Sequence, residues 1–308
     1  MSINQNLDFS FIDFIITIKL IIEVISVKIG IYAGPEFTSF YGDKRYEKIK
    51  TLGFSYVDFS NSDVRKYPYN ASLRDAEAFF KNERKMMEQA DVIPSQMHGP
   101  WYSASNITQE ERDELFGYFC QSLQFASYME CKYWVIHPVF AFGTKSLPEN
   151  EEETRKINVE FAKRLVDVAK PLGVTICLEN MPFPSFCISK PLEIYSIIKE
   201  VNDENYKMCF DTGHVNVFKD LDVAKCFYDV ADEVAVLHVH DNCGDTDSHL
   251  FPTFGSIDWK SFYKALCNTG FDGVFSLETS PKNYANIDEF ENSAGELYSI
   301  AKRITEFN

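Results

Sequence analysis

Short apolar runs alternate with longer amphipathic stretches along most of the chain. The apolar runs, rich in β-branched and aromatic residues, lie at 27–33, 54–59, 92–98, 132–137, 174–179, 206–211, 233–239 and 273–278. Between and beyond them, residues 43–52, 72–90, 108–130, 151–171, 190–201, 219–231, 258–269 and 287–305 carry apolar side chains at helical spacing. Apolar strands followed by helices imply parallel strands covered on both faces. Eight such units over residues 27–308 predict a single α/β domain, a (β/α)₈ barrel. The punctuation agrees. Gly53, Gly173 and Gly270 each close a helix just before a strand, and Thr108 with Glu111 has the form of a capping box. The acidic stretch 149–153 reads as a solvated helix start.

Residues 1–26 stand outside this rhythm. They are strongly apolar, but Asp13, Lys19 and Glu23 interrupt them, and both a basic leader and a small-residue cleavage site are missing. The segment is therefore predicted to be an N-terminal extension and neither a signal peptide nor a membrane span. Composition narrows the partners. With 30 basic and 46 acidic residues, the formal charge of −16 argues against a generally basic nucleic-acid surface. The eight cysteines form no C-x-x-C pair and several sit inside apolar runs, so free buried thiols and a cytoplasmic setting are expected.

All six histidines stand near strand ends or in the loop after the seventh strand. The motifs are M-H-G-P-W at His98, V-I-H-P at His137, C-L-E-N at Glu179, F-D-T-G-H at Asp211 and His214, L-H-V-H-D-N at His238 and His240, D-S-H at Asp247 and His249, and F-S-L-E at Glu278. The carboxyl ends of barrel strands are where this architecture builds active sites. Three carboxylates and one imidazole, Glu179, Asp211, His238 and Glu278, suit a divalent Mn, Mg, Co or Zn ion with open positions for substrate oxygens. Glu179 and Glu278 are the candidate catalytic acid and base. His98, His137, His214, Asp247 and His249 are candidate ligands for an additional metal. His240 is expected to point away from the site, and Asp241 or Asn242 to hold a metal ligand by hydrogen bonding. Trp101, Tyr102, Phe140, Phe142, Phe183, Phe186, Phe251 and Phe254 follow the motifs and are expected either to wall a sugar pocket or to pack the rim.

These motifs, in this order, resemble the xylose-isomerase-like TIM-barrel superfamily over residues 27–308. That superfamily joins sugar isomerases and epimerases with endonuclease IV. The resemblance implies a Glu, Asp, His, Glu metal set at Glu179, Asp211, His238 and Glu278. It also implies proton transfer by the two glutamates and substrate contact by His214. His98 and Trp101, from their positions after the third strand, are further candidate substrate contacts. D-S-H-L-F-P-T-F-G-S-I-D-W is similar to a segment common among isomerase-like members. Endonuclease IV holds three zinc ions on nine ligands, and its pattern maps onto His98, His137, Glu179, Asp211, His214, His238, Asp247, His249 and Glu278.

Two activities follow as expectations. The first is a divalent-metal-dependent isomerase or epimerase acting on a sugar, a sugar phosphate or a polyol-derived substrate through a metal-stabilised enediolate. The alternative is a multi-zinc phosphodiesterase acting on abasic DNA. The loops favour the first: residues 141–153 hold one lysine against four glutamates, and Asp241, Asp245, Asp247 and Asp258 precede Lys260 with no basic residue among them. Two departures blur the substrate. No arginine lies between His238 and Trp259, and Thr253 and Phe254 stand where the superfamily segment is smaller. A non-catalytic binding barrel fits less well, because both glutamates are present. Homo-oligomers are common in the superfamily and are expected here.

Overall fold

The computed structural model describes residues 27–60, 62–101, 108–140 and 147–307. The predicted extension 1–26, Tyr102 and Phe142 lie outside the described residues. Eight strands occupy the predicted runs: β1 Lys28–Tyr32, β2 Tyr56–Ser60, β3 Ile93–His98, β4 Tyr133–Ile136, β5 Thr175–Glu179, β6 Tyr206–Asp211, β7 Val234–His238 and β8 Val274–Leu277. Each pairs parallel with its sequence neighbour from β1 to β7, and β8 returns beside β1. The ring closes just beyond β7. Val239 N–H donates to Ser276 O at 2.8 Å, and Glu278 N–H donates to Val239 O at 3.0 Å. The fold is a (β/α)₈ TIM barrel.

The helices are α1 Pro35–Tyr41, α2 Arg45–Thr51, α3 Leu73–Gln89, α4 Gln109–Tyr128, α5 Glu151–Ala169, α6 Pro191–Val201, α7 Thr212–Asn216, α8 Val223–Val230, α9 Trp259–Thr269 and α10 Ile287–Ile304. The hydrophobic pattern predicted neither α1 nor α7; α7, at five residues, is too short to display a helical period. Thr108 and Glu111 complete both halves of the capping box that starts α4. Gly173 and Gly270 sit at φ 69° and 70°, the left-handed turn that stops a helix without a Cβ penalty. Among the described residues no helix is long and apolar enough to cross a membrane.

Strand alternation sends two sets of side chains in opposite directions. Outward, Trp134 packs edge-on to Phe119 at 5.4 Å between ring centroids, and Phe210 meets Phe227 at 5.3 Å. Each such ring, fully buried, contributes roughly 1.5–3 kcal/mol by leaving water. Inward, Val135, Cys177, Cys209 and Val236 form a small separate apolar cluster. His137, Glu179, Asp211 and His238 come two residues later on the same four strands, so they face the same interior one level higher. All eight cysteines are free thiols.

Candidate metal centre

Glu179, Asp211 and His238 are the last residues of β5, β6 and β7, and Glu278 directly follows β8. One ligand atom from each lies within 4.8 Å of all the others. His238 Nδ1 is central: it is 2.8 Å from Glu179 Oε1, 3.3 Å from Glu278 Oε2 and 4.0 Å from Asp211 Oδ2. Residues far apart in sequence thus meet at the barrel mouth, because each ends a different strand.

The other predicted ligands fall into two flanking groups. His98 and His137 join Glu179 in one, with Nε2 atoms 3.5 and 3.1 Å from Glu179 Oε2. His214, Asp247 and His249 meet in the other, together with His240. There Asp247 Oδ2 is 3.3 Å from His214 Nε2 and 3.2 Å from His249 Nε2. Backbone carbonyls fix several tautomers. His98, His214 and His249 each donate Nδ1–H to a carbonyl, of Gly99, Asn180 and Glu278, at 2.8, 2.7 and 2.7 Å. Their Nε2 atoms are left to face the cluster.

Burial opposes charge on every group here, raising carboxyls and lowering imidazoles. Neighbours reverse that for most of them. Glu179 is held well below the usual carboxylate range against burial, chiefly by His238 and His137. Asp211 is lowered, against burial, by His214 and His240. Despite burial, Asp211 and Asp247 raise His214 to about 10, and Asp247 and Glu278 raise His249 to about 9. His137 goes down because burial outweighs Glu179. Glu278 goes up, from burial first and then repulsion by Glu179.

A cation fits this arrangement. Glu179 Oε2 and Glu278 Oε2 are buried and accept no hydrogen bond, although both point among imidazole nitrogens. Converging carboxylate oxygens and imidazole nitrogens are the donor set of a zinc-like or manganese-like divalent ion. Protons on the imidazoles stand where such an ion would release them.

His240 corrects the sequence reading. Residues two apart on an extended strand share a face, and the chain stays extended through Val239. His240 therefore points inward with His238. Its Nε2 lies 3.0 Å from Asp211 Oδ2, and its ring stacks on His249 at 3.9 Å and 12°. The signal lay in D-T-G-H: a Cβ on Gly213 would come within 2.0 Å of the His240 ring, so glycine leaves room for it. Asp241 and Asn242 also differ from expectation, since neither bonds a ligand side chain. Asp241 instead accepts from Trp259 Nε1 at 2.8 Å, Thr253 N at 3.0 Å and Ile257 N at 3.3 Å, which folds the loop carrying Asp247 and His249. Asn180 supports the ligands: its side chain bonds both backbone groups of Asp211, at 3.0 and 2.9 Å.

A cavity of about 750 Å³ opens above the cluster. Glu179, Glu278, His98, His137, His214, Asp247 and His249 line it, whereas Asp211 and His238 do not. Trp101 and Phe183 supply aromatic wall, Trp101 with its ring edge-on to His137 at 5.9 Å. Phe140 and Phe186 pack around Phe183, and Phe251 pairs with Phe254, so these four are rim packing and not pocket wall.

Fold and site together define a class, the α/β barrels whose strand ends converge on a cluster of carboxylates and imidazoles able to hold a metal. A model of the xylose isomerase-like TIM barrel family matches residues 46–300, and the chain belongs to that family. Among its relatives, the inosose isomerase of Bacillus velezensis is 24% identical over 269 residues, covering 82% of this chain and 87% of its own. "Probable endonuclease 4" of Metamycoplasma arthritidis is 28% identical over 195 residues, 60% of this chain and 64% of its own. The crystal structure of IOLI protein with a binding zinc atom superposes with a TM-score of 0.66 at 21% identity, covering 90% and 96% of the two chains.

Proposed function

We propose that this protein is a divalent-metal-dependent isomerase or epimerase that relocates a proton on a small, unphosphorylated carbohydrate or polyol-derived carbonyl compound. One observation carries the reading. Of the four side chains in the central group, only Glu179 and Glu278 line the cavity, while Asp211 and His238 lie behind them. Two glutamates exposed to substrate beside one cation site are what a proton-transfer pair requires. The inosose isomerase relative supports this chemistry, and the zinc-holding neighbour supports the donor set.

A divalent ion held by Glu179, Asp211, His238 and Glu278 would polarise a substrate carbonyl and its neighbouring hydroxyl. One glutamate takes the proton from the carbon beside the carbonyl, and the other returns a proton at the new position or face. His214 and His98 orient hydroxyls from the cavity wall, and Trp101 offers an apolar face to the sugar ring. Asp211, closed off from the cavity, keeps its charge for the cation. Lys282 is the one lysine or arginine among the described lining residues, and its Nζ already donates to Ser248 O at 2.7 Å. A phosphorylated substrate would ask for more positive charge than that.

A second reading has its own observation, the two flanking ligand groups beside the central one. Together they match the endonuclease IV pattern and support a three-zinc phosphodiesterase. Metal analysis of the purified protein, with turnover assays on ketoses, inososes and an abasic oligonucleotide, separates the two. Carbohydrate turnover without strand incision upholds the isomerase. Three zinc ions per chain with incision of the abasic strand overturns it.

A further inference from the structure

The imidazoles of the cluster are not all turned the same way. His98, His214 and His249 present Nε2 because a carbonyl takes their Nδ1 proton. His238 is reversed. Its Nδ1 faces Glu179, Asp211 and Glu278, and its buried Nε2 completes no hydrogen bond, to a backbone carbonyl or to any other group. What stands at Nε2 is a carboxylate: Asp58 Oδ2 at 3.1 Å, on the far side of the ring from the ligand group. Asp58 comes from β2, a strand that contributes no ligand.

Asp58 is itself held. Gln96 Nε2 donates to Asp58 Oδ2 at 3.0 Å and to Leu237 O at 3.2 Å, tying the carboxylate to the backbone directly before His238. Gln96 and His238 are fully buried, and Asp58 is 2% exposed. Asp58 also lines the lower part of the cavity, and a nearly buried carboxylate flanked by two potential donors is a costly feature that persists where it fixes something.

We propose that Asp58 is a positioning residue that accepts the Nε2 proton of His238 and so keeps Nδ1 free as the cation ligand. The inference rests on reading Glu179, Asp211, His238 and Glu278 as ligands. An imidazole can give a lone pair to a cation from one nitrogen only while the other keeps its proton. Three of the histidines achieve this with a carbonyl. His238, at the centre of the group, uses a carboxylate, which also makes the ring more basic and strengthens its hold on a cation.

The test is a zinc titration of the full-length protein and of its Asp58→Ala and Asp58→Asn variants, followed by calorimetry and by ¹⁵N NMR of the His238 ring. In the wild-type protein, zinc should move the Nδ1 resonance while Nε2 stays protonated. Asp58→Ala should raise the zinc Kd roughly 10- to 100-fold, and Asp58→Asn, which retains an acceptor oxygen, by about 10-fold or less. The Nε2–H signal of His238 should exchange faster in both. A lowered Tm with an unchanged Kd and an unchanged His238 spectrum would show Asp58 to be merely structural and overturn the inference. Should Asp58→Ala not fold, Asp58→Asn decides by the same readings. A wild-type protein that takes up no zinc overturns the ligand reading itself, and the inference with it. Zinc uptake that is lost in Glu278→Gln but intact in both Asp58 variants overturns the inference alone.

Discussion

Inside the barrel, residues 135, 177, 209 and 236 hang from the same four strands as residues 137, 179, 211 and 238, two positions earlier. The lower ring is valine and cysteine; the upper is histidine and carboxylate. Both are buried, so burial alone does not tell them apart. Burial pushes the Cys177 and Cys209 thiols up and leaves them neutral, whereas the upper carboxylates are held ionised by imidazoles at hydrogen-bond distance. The difference teaches that a charged ring can sit above an apolar one when its members neutralise one another. The lower ring is an apolar floor, and over such a floor each charge interaction counts for more.

The strongest challenge to this contrast falls on the upper ring. At saturating metal, Glu278→Gln should lower kcat by roughly 10²–10⁴ while the metal-free proteins unfold at similar temperatures, checked by steady-state kinetics and a circular dichroism melt. Near-normal turnover would remove Glu278 from the proton-transfer pair. Next comes the cation. Stripping it with a chelator should abolish turnover and lower stability by about 2.7 kcal/mol if the working concentration is 100 times Kd, read as a drop in Tm that added zinc or manganese reverses.

The lower ring has its own test. Val135→Asn would place an amide without partners in the floor and cost about 1–3 kcal/mol. Denaturant unfolding should show that loss while metal stoichiometry stays as in the wild type. A variant that instead lost its metal would mean that floor and cage are one unit. The pH response of the metal-free protein is gentler. His214 and His249 have folded values of about 10 and 9 against ordinary values near 6.5. The folded state binds their protons more tightly than the unfolded chain does. Their contribution is therefore full below about 6.5 and is lost as pH rises through 9 to 10, and urea titrations across that window should show stability falling. Cation affinity should move oppositely, rising with pH as the imidazoles release protons. The smallest effect is expected from Lys282→Ala, no more than about twofold on KM, because a lone rim cation contributes little. A much larger loss would point to an anionic substrate.

Much of this was legible before any coordinates. The eight strands, and the meeting of Glu179, Asp211, His238 and Glu278, were readable because continuous apolar runs ended abruptly in these polar residues. Three things were not. His240 was misjudged because the parity of strand positions was misapplied, and Gly213, which makes room for its ring, has meaning only once the two segments are adjacent. Asp58 sits in a run, Y-V-D-F-S, that has no motif around it, and its role arises from β2 lying across the interior from β7. The sorting of the aromatics into Trp101 and Phe183 on the wall, with Phe140, Phe186, Phe251 and Phe254 outside it, depends on loop geometry that periodicity does not encode.

Asp241 clamps both ends of the excursion between β7 and α9, receiving donors from Thr253, Ile257 and Trp259 while its own backbone pairs with Leu250. The stem of that excursion is thus braced independently of its tip. Asp245 and Thr246, on that tip and on the cavity wall, are the places where a protein engineer would re-letter the pocket while leaving Gly244, at φ 80°, in place.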